Sequence, residues 1–498
     1  MAAVTLAEML ALEASAMASG WSEEALLDAA GEKLGWAIHQ YFPNPGTLIG
    51  YLGKGHNAGD AIVAMRILRN HCGWNIQARL AFPISQCAPL TRKKWLELGL
   101  EQPLMKPPSR PNHRQAFVLL DGLAGTGVSG PLRAPLKTLA AEMARIRNSH
   151  GARIAAVDLP SGIHPDTGEI FENTVTADVT FMIGSAKQGL LLGRASTATG
   201  ALALVEVAPL SSHQPATLEL ICPQSLDFGK TPRPFDFHKG MAGRVAILAG
   251  SESYTGAAVL AASGALRGGA GLVSLFTPPS ARTQISCKCP PEVMIRSCTD
   301  PRELLDFRFD SLLVGCGLHL SDGFLSESLM DLILESTTPV VIDAGALDFL
   351  AKSGKIGSLS PRHLLTPHPG EFASLAPDLT GLPRETAARL FSERCPASLL
   401  LKGSRTLITQ KNHPLFCNST GSPAMATGGQ GDLLGGVIAA RLAIGDSPIQ
   451  AASLAAWVCG RSAEIALTQS HLSDESLLPS DVLHFLGAAF RDWKTGHR

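Results

Sequence analysis

The strongest constraint on this chain is a rhythm that runs along it twice. Short apolar runs at 47–52, 76–82, 117–121, 154–158 and 179–183 are separated by stretches of helical length. Strands spaced in this way pair in parallel, with the intervening helices covering both faces of the sheet. Residues 5–40 open the chain as helix. Leu6, Met9, Leu10 and Met17 recur near the helical period, and a second helix is expected over 22–39. The rhythm stops over 209–237, where Pro209, Pro215, Pro223, Pro232 and Pro234 stand among serines and threonines. This stretch reads as a linker. The pattern restarts at 244–250, 271–277, 311–315, 339–344, 364–367 and 399–402. The expectation is two doubly wound α/β domains, 1–212 and 223–498. They share no motif, which points to fusion and not duplication.

Composition narrows the function. With 45% hydrophobic and 17% charged residues, the 498-residue chain can fill sizeable cores and carries too little charge for disorder. A net charge of −1 leaves no basic excess to follow a phosphodiester backbone, so no nucleic-acid partner is expected. Single phosphorylated metabolites remain open, because a few N–H donors hold them. Of the ten cysteines only Cys287 and Cys289 are close neighbours, and no paired C-x-x-C spacing occurs. A reduced, cytoplasmic setting is expected. Glu8 and Glu13 interrupt the N-terminal apolar residues, so that segment reads as an amphipathic helix and not as a signal peptide. No apolar run reaches the ~18 residues a membrane span needs.

In the first half, GKGHNAGDAIVAMR (53–66) follows a strand and leads into a helix. Such a glycine-bearing loop lets backbone N–H groups approach a phosphate. Asn57 and Asp60 are read as polar members of that loop; an ordinary strand-to-helix turn is the plain alternative. Asp121 ends a strand and precedes GLAGTGVSGP (122–131), and Asp158 ends another and precedes LPSG (159–162). Either aspartate alone could be a helix cap. Three polar loops at strand carboxyl ends converge on one crevice in an open α/β sheet.

The set GKGHNAGD, DGLAGTG, VDLPSG and ADVTF…AKQGL resembles the YjeF N-terminal family of NAD(P)HX epimerases over about 1–210. The resemblance implies a Rossmann-like three-layer sandwich and a hydrated dinucleotide held by His56, Asn57, Ala58, Gly59 and Asp60. It also implies contacts from Gly125, Thr126, Gly127, Val128, Ser129, Gly130 and Pro131, and from Asp158, the expected acid/base at the hydrated ring. A potassium ion is implied at Asn57, Asp121 and Ser161, an oxygen-only set suited to a hard cation. Lys187 matches a family lysine, with Ala186 in place of the preceding proline. The family's Asn-Asn-Gly-Gly-Asp-Gly stands here as His56-Asn57-Ala58-Gly59-Asp60-Ala61. Alanine is costly there if the backbone needs a positive φ, which would weaken the epimerase; an active site is still expected because the ion and loop residues are present.

The second half carries GSPAMATGGQGDLLGG (421–436), a glycine-rich loop that runs into an apolar helix. Backbone N–H groups there form an anion hole, and Asp432 stands where a base could take a proton from an attacking hydroxyl. The plain alternative is a helix cap after a flexible loop. The Gly-x-Gly-Asp ending resembles the ribokinase-like superfamily. With HKGMAGRVAILAG, PPEVM, VGCGL, VIDAGAL, LTPHPGEFASL and LKGSRT in that order, residues 223–498 resemble the ADP- or ATP-dependent NAD(P)HX dehydratases. That resemblance assigns Ala257, Gly317, His368 and Asp432 to the hydrated dinucleotide. It assigns Lys402, Gly403, Ser404, Arg405, Thr406 and Gly431 to the adenine nucleotide, with Lys402 and Arg405 as cations beside phosphates. Asp343 reads equally as a strand-end cap or as an aid to Mg²⁺.

Together the resemblances imply one enzyme that epimerises the R and S forms of NAD(P)HX and dehydrates the S form. ADP or ATP would phosphorylate the ring hydroxyl, and phosphate would then leave. K⁺ and Mg²⁺ are the implied ions, and a homo-oligomer is expected. Two rivals stand beside this reading: a kinase of a small alcohol, and a first half that binds dinucleotide without catalysis.

Overall fold

A computed structural model describes residues 1–109, 115–212, 214–224, 226, 228–319, 323–470 and 472–496. The chain divides into two compact units between Leu220 and Ile221. The division falls inside the expected linker. That stretch is more ordered than its prolines suggest: it holds a 3₁₀ turn at Ala208–Leu210 and a strand at Leu218–Ile221.

The first unit contains β1 (Ala3–Val4), β2 (Thr47–Leu52), β3 (Asn75–Leu80), β4 (Phe117–Gly122), β5 (Arg153–Val157), β6 (Val179–Ile183), β7 (Ala186–Lys187) and β8 (Ala201–Val205). Six of these form a sheet in the order β3-β2-β4-β5-β6-β8, parallel throughout. The strands read as unbroken apolar runs because both faces are covered. Leu48 and Leu52 of β2 enter one core cluster, whereas Ile49 and Tyr51 enter the other. The order reverses between β2 and β4, since β3 lies to one side of β2 and every later strand to the other. A crevice opens at such a reversal, beyond the strands' carboxyl ends.

Two helices begin the unit, Leu6–Ala18 and Glu23–Tyr41, close to the expected spans. The first starts with a capping box: the Thr5 hydroxyl accepts from Glu8 N at 3.2 Å, and the Glu8 carboxylate accepts from Thr5 N at 2.7 Å. Such a cap contributes about 1 kcal/mol. The two-residue β1 pairs in parallel with β7, setting Val4 beside Lys187. Neither short strand shows in the sequence, because two residues carry no period.

β9 (Leu218–Ile221) spans the division, and the second unit contains β10 (Arg244–Leu248), β11 (Leu272–Thr277), β12 (Val293–Ser297), β13 (Ser311–Val314) and β14 (Val340–Ile342). β15 (His363–Leu365), β16 (Ser398–Leu401), β17 (Leu407–Thr409) and β18 (Leu415–Asn418) follow. From β12 the sheet runs β12-β11-β10-β13-β14-β15-β16-β17-β18. It is parallel as far as β16, and the last two pairings are antiparallel. The expected strands are all present, with ends that agree to within two residues. β8, β9, β12, β17 and β18 were not anticipated. The reversal here lies between β10 and β13. No helix among the described residues is long and apolar enough to cross a membrane.

Candidate functional sites

In the first unit the segment expected as a loop is mostly helix. The helix His56–Cys72 starts directly after Gly55, so Asn57, Ala58, Gly59 and Asp60 occupy its first turns. Ala58 and Ala61 are buried in helical backbone, not at positive φ. The penalty expected for the two lost glycines therefore does not arise, because helical φ suits alanine better than glycine. His56 projects outward, its Nε2 3.2 Å from Glu23 Oε1.

Asn57, Asp121 and Ser161 do come together. Ser161 donates its backbone N–H to Asp121 Oδ2 at 2.8 Å, and its hydroxyl lies 2.7 Å from Asp121 Oδ1. Ala124 joins them: its N–H donates to Ser161 Oγ at 2.8 Å, and its carbonyl accepts from Asn57 Nδ2 at 3.2 Å. Asp121 is fully buried, and among the described residues no cationic side chain pairs with it. Burial pushes its carboxyl up to about 6, against the hydrogen bonds from Ser161 and Leu123.

Asp158 sits just past β5 in the left-handed region, φ 65°. Aspartate tolerates that conformation better than most residues. Its Oδ1 accepts from Ile183 N at 3.0 Å and from the ammonium of Lys187, which also donates to Ile183 O at 2.9 Å. Lys187 is 1% exposed. These residues line a cleft of about 1020 Å³ together with Asp60, the 125–131 loop and one side of the first helix. Asp60 is held well above the usual carboxylate range, by burial first and then by the negative Asp158. The sequence reading named Lys187 but missed Glu13, which also lines the cleft; its place within an amphipathic apolar stripe was the available signal.

In the second unit Asp432 lies in the first turn of the helix Gln430–Ile444, whose N-cap Gly429 takes φ 95°. Asp432 is raised to about 6 by burial, then by the Asp343 charge; a hydrogen bond with Cys316 and the charge of Lys402 oppose the shift. Lys402 Nζ lies 2.6 Å from Asp343 Oδ1. A Cβ built on Gly431 would come 3.1 Å from that ammonium, so Lys402 reaches the helix N-terminus beside Asp432. Burial works against the Lys402 charge, and Asp343 outweighs it, leaving its pKa above the ordinary value.

Ala257 and Gly317 flank the reversal between β10 and β13. Gly317 has φ 66°, and a Cβ there would sit 2.8 Å from Ala257 Cβ, so the two segments touch at backbone distance. His368 caps the helix Pro369–Leu375. Its Nδ1 accepts from Gly370 N at 3.0 Å and Glu371 N at 3.2 Å, which leaves the exposed Nε2 as the donor. Gly403 and Ser404 are exposed in a turn, but Arg405 is buried, with its charge near Cys417. Arg384 was not anticipated. Its Nη2 donates to Leu401 O at 3.2 Å and Lys402 O at 2.9 Å, propping the turn from a distant helix that no motif marks.

Known proteins resemble the chain over its whole length. A family profile described as YjeF-related protein N-terminus matches residues 23–189, and one described as NAD(P)H-hydrate dehydratase matches 245–484. The bifunctional NAD(P)H-hydrate repair enzyme Nnr of Gloeobacter violaceus is 32% identical over 514 residues, covering 97% of this chain and 98% of the relative. The enzyme of the same name from Coxiella burnetii is 31% identical, covering 95% and 96%. Among solved structures, the ADP/ATP-dependent NAD(P)H-hydrate dehydratase of Bacillus subtilis, co-crystallised with ATP/Mg²⁺, is 27% identical with a TM-score of 0.46. It is matched over 55% of this chain and 98% of its own. With both profiles in order and relatives aligned nearly end to end, the chain belongs to the bifunctional NAD(P)H-hydrate repair enzymes, a YjeF-related N-terminal domain followed by an NAD(P)H-hydrate dehydratase domain.

Proposed function

We propose that the first-unit cleft epimerises the hydrated ring and that Asp432 of the second unit starts its dehydration. The observation that carries this is the position of Asp432, a partly buried carboxyl in the first turn of a helix beside the Lys402–Asp343 pair. Ionised Asp432 takes the proton of the ring hydroxyl, and the oxygen attacks the terminal phosphorus of the nucleotide. The helix N-terminus and Lys402 face the negative charge that develops on the moving phosphoryl. Phosphate is a better leaving group than hydroxide. Its departure with the neighbouring ring proton restores the reduced nicotinamide. Ala257, Gly317 and the His368 Nε2–H would hold the dinucleotide. Lys402, Gly403, Ser404, Arg405, Thr406 and Gly431 would hold ADP or ATP. Mg²⁺ would be held chiefly by the nucleotide's phosphates and would neutralise their charge, near the acidic Asp343 and Glu371, which both act on Asp432.

In the first unit residues 56–60, 125–131 and Asp158 would hold the dinucleotide, with Asp158 as the acid/base group. K⁺ suits Asn57, Asp121 and Ser161. A buried carboxylate that among the described residues has no cationic partner, beside the Ser161 hydroxyl and the Ala124 carbonyl, offers oxygens that suit a hard cation. The domains would run 1–212 and 223–498, in a cytoplasmic homo-oligomer. The test is hydrated NADH as a mixed R and S pool with ADP or ATP, following reduced-nicotinamide absorbance and phosphate. Full consumption of the pool with one phosphate released per reduced nicotinamide is expected. Recovery of absorbance without phosphate, or a stable phosphorylated product, would overturn the mechanism.

A further inference from the structure

One face of the helix Leu6–Ala18 looks into the first-unit cleft: Leu6, Met9, Leu10, Glu13 and Met17 all line it. Leu10 and Met17 are 54% and 48% exposed, so this part of the stripe forms cleft wall and not core. Glu13 is its only ionisable member. Three features fix the helix that presents it. Val4 pairs with Lys187 in the β1–β7 register, Thr5 and Glu8 form the capping box, and Leu6 N donates to Asp166 Oδ1 at 2.6 Å. The strand that bears Lys187, and through it Asp158, is thus tied directly to the start of the helix that bears Glu13. Among the described residues no hydrogen bond or ion pair engages Glu13. Burial raises its pKa most; Lys187 opposes this, Asp158 adds to it, and His56 and Glu23 oppose each other more weakly. Asp60 is the other acid that faces it.

We propose that Glu13 is the second proton-transfer group of the epimerase, a carboxylic acid that works opposite Asp158 on the hydroxylated ring. This rests on the reading that the cleft holds the hydrated dinucleotide. Asp158 takes the hydroxyl proton, and the O–H pair becomes the second bond of a carbonyl at ring carbon 6. The carbon–nitrogen bond of the ring breaks, and its pair goes to the nitrogen, which takes the proton of Glu13. Rotation about the adjoining carbon–carbon bond presents the other carbonyl face. The nitrogen re-adds and returns its proton to Glu13, while the oxygen recovers its own from Asp158. Nothing is oxidised, and hydroxide never has to leave. Two carboxyl groups divide the work because their surroundings differ: Asp158 is paired with a buried ammonium, and Glu13 has no partner.

The experiment uses the full-length chain and the R form of hydrated NADH without nucleotide, so only epimerisation proceeds; the two forms are separated by chromatography. Glu13→Gln is expected to slow the reaction by about 10²–10⁴ and to abolish the fall in rate as pH rises through the point where Glu13 loses its proton, which burial sets above the ordinary carboxylate value. Glu13→Asp should recover part of the rate. Both variants should dehydrate the S form with ADP at the parental rate, which shows that the chain is folded. Asp158→Asn is measured in parallel. A parental rate and pH profile in Glu13→Gln, beside a dead Asp158→Asn, overturns the role of Glu13 and leaves the site standing. Parental rates in both overturn the site as well. A slow Glu13→Gln whose descending pH limb has not moved also overturns the proposal, since Glu13 would then only shape the wall.

Discussion

The Lys402 ammonium and the Asp343 carboxylate form a 2.6 Å ion pair that leans on the helix carrying Asp432. The lysine lies in the turn assigned to the adenine nucleotide, yet its ammonium pairs with Asp343 and its charge is also felt by Asp432. Asp343 is 2% exposed, so its charge depends on this partner. Lys402→Met should leave a buried carboxylate unpaired and cost about 3–5 kcal/mol of stability in the second unit. Denaturant unfolding of the full chain would show it, and a change under 1 kcal/mol would mean that Asp343 is solvated.

Asp432→Asn should lower dehydration by about 10²–10⁴ while nucleotide affinity is kept, because the amide preserves shape and removes the base. The pH dependence follows from the raised carboxyl at about 6. A base acts when ionised, so the parental rate should climb as pH rises through about 6 and level off above it. An acid limb near the ordinary carboxylate value would contradict the burial of Asp432.

Asp121→Ala should remove epimerisation and its dependence on K⁺ while dehydration of the S form continues. On a mixed pool the variant should stop once the S form is gone, apart from slow spontaneous epimerisation. Consumption of the R form at the parental rate would remove the ion from the first unit.

Ala58→Gly restores a glycine that the family pattern has and this chain lacks. Ala58 is helical and buried, so the change should cost about 0.5–1 kcal/mol and bring no gain in epimerisation. A faster epimerase would show that these first helical turns must open for the substrate.

Gly436→Ala tests the packing beneath Asp432. A Cβ there would lie 2.0 Å from Ala261 O on the facing helix Thr255–Arg267, a clash with backbone that no rotamer relieves. We expect about 1–3 kcal/mol of lost stability with a parallel loss of dehydration, and an intact epimerase. Parental stability would mean that the two helices can separate freely.

The strands of both sheets were legible because they are buried on both faces, which imposes unbroken apolar runs such as TLIGYL. The late hairpin of β17 and β18 was not, since three- and four-residue strands bounded by polar turns carry little pattern. Helical periodicity found the helix Leu6–Ala18 and its apolar stripe, yet no period reveals whether such a stripe meets a core or a cleft.

Sequence by itself determined the parallel α/β class, a break somewhere within 209–237 and the family, and with them the aspartates that end strands or open helices. Those features are local, set by spacing over a few residues. Tertiary structure alone decided that residues 56–60 are helix, that Lys402 turns to Asp343 across 59 positions of chain, and that Glu13 faces Lys187. The last two depend on how segments distant in the chain are brought together. The free energy of such a meeting lies in pairs the sequence does not place next to each other.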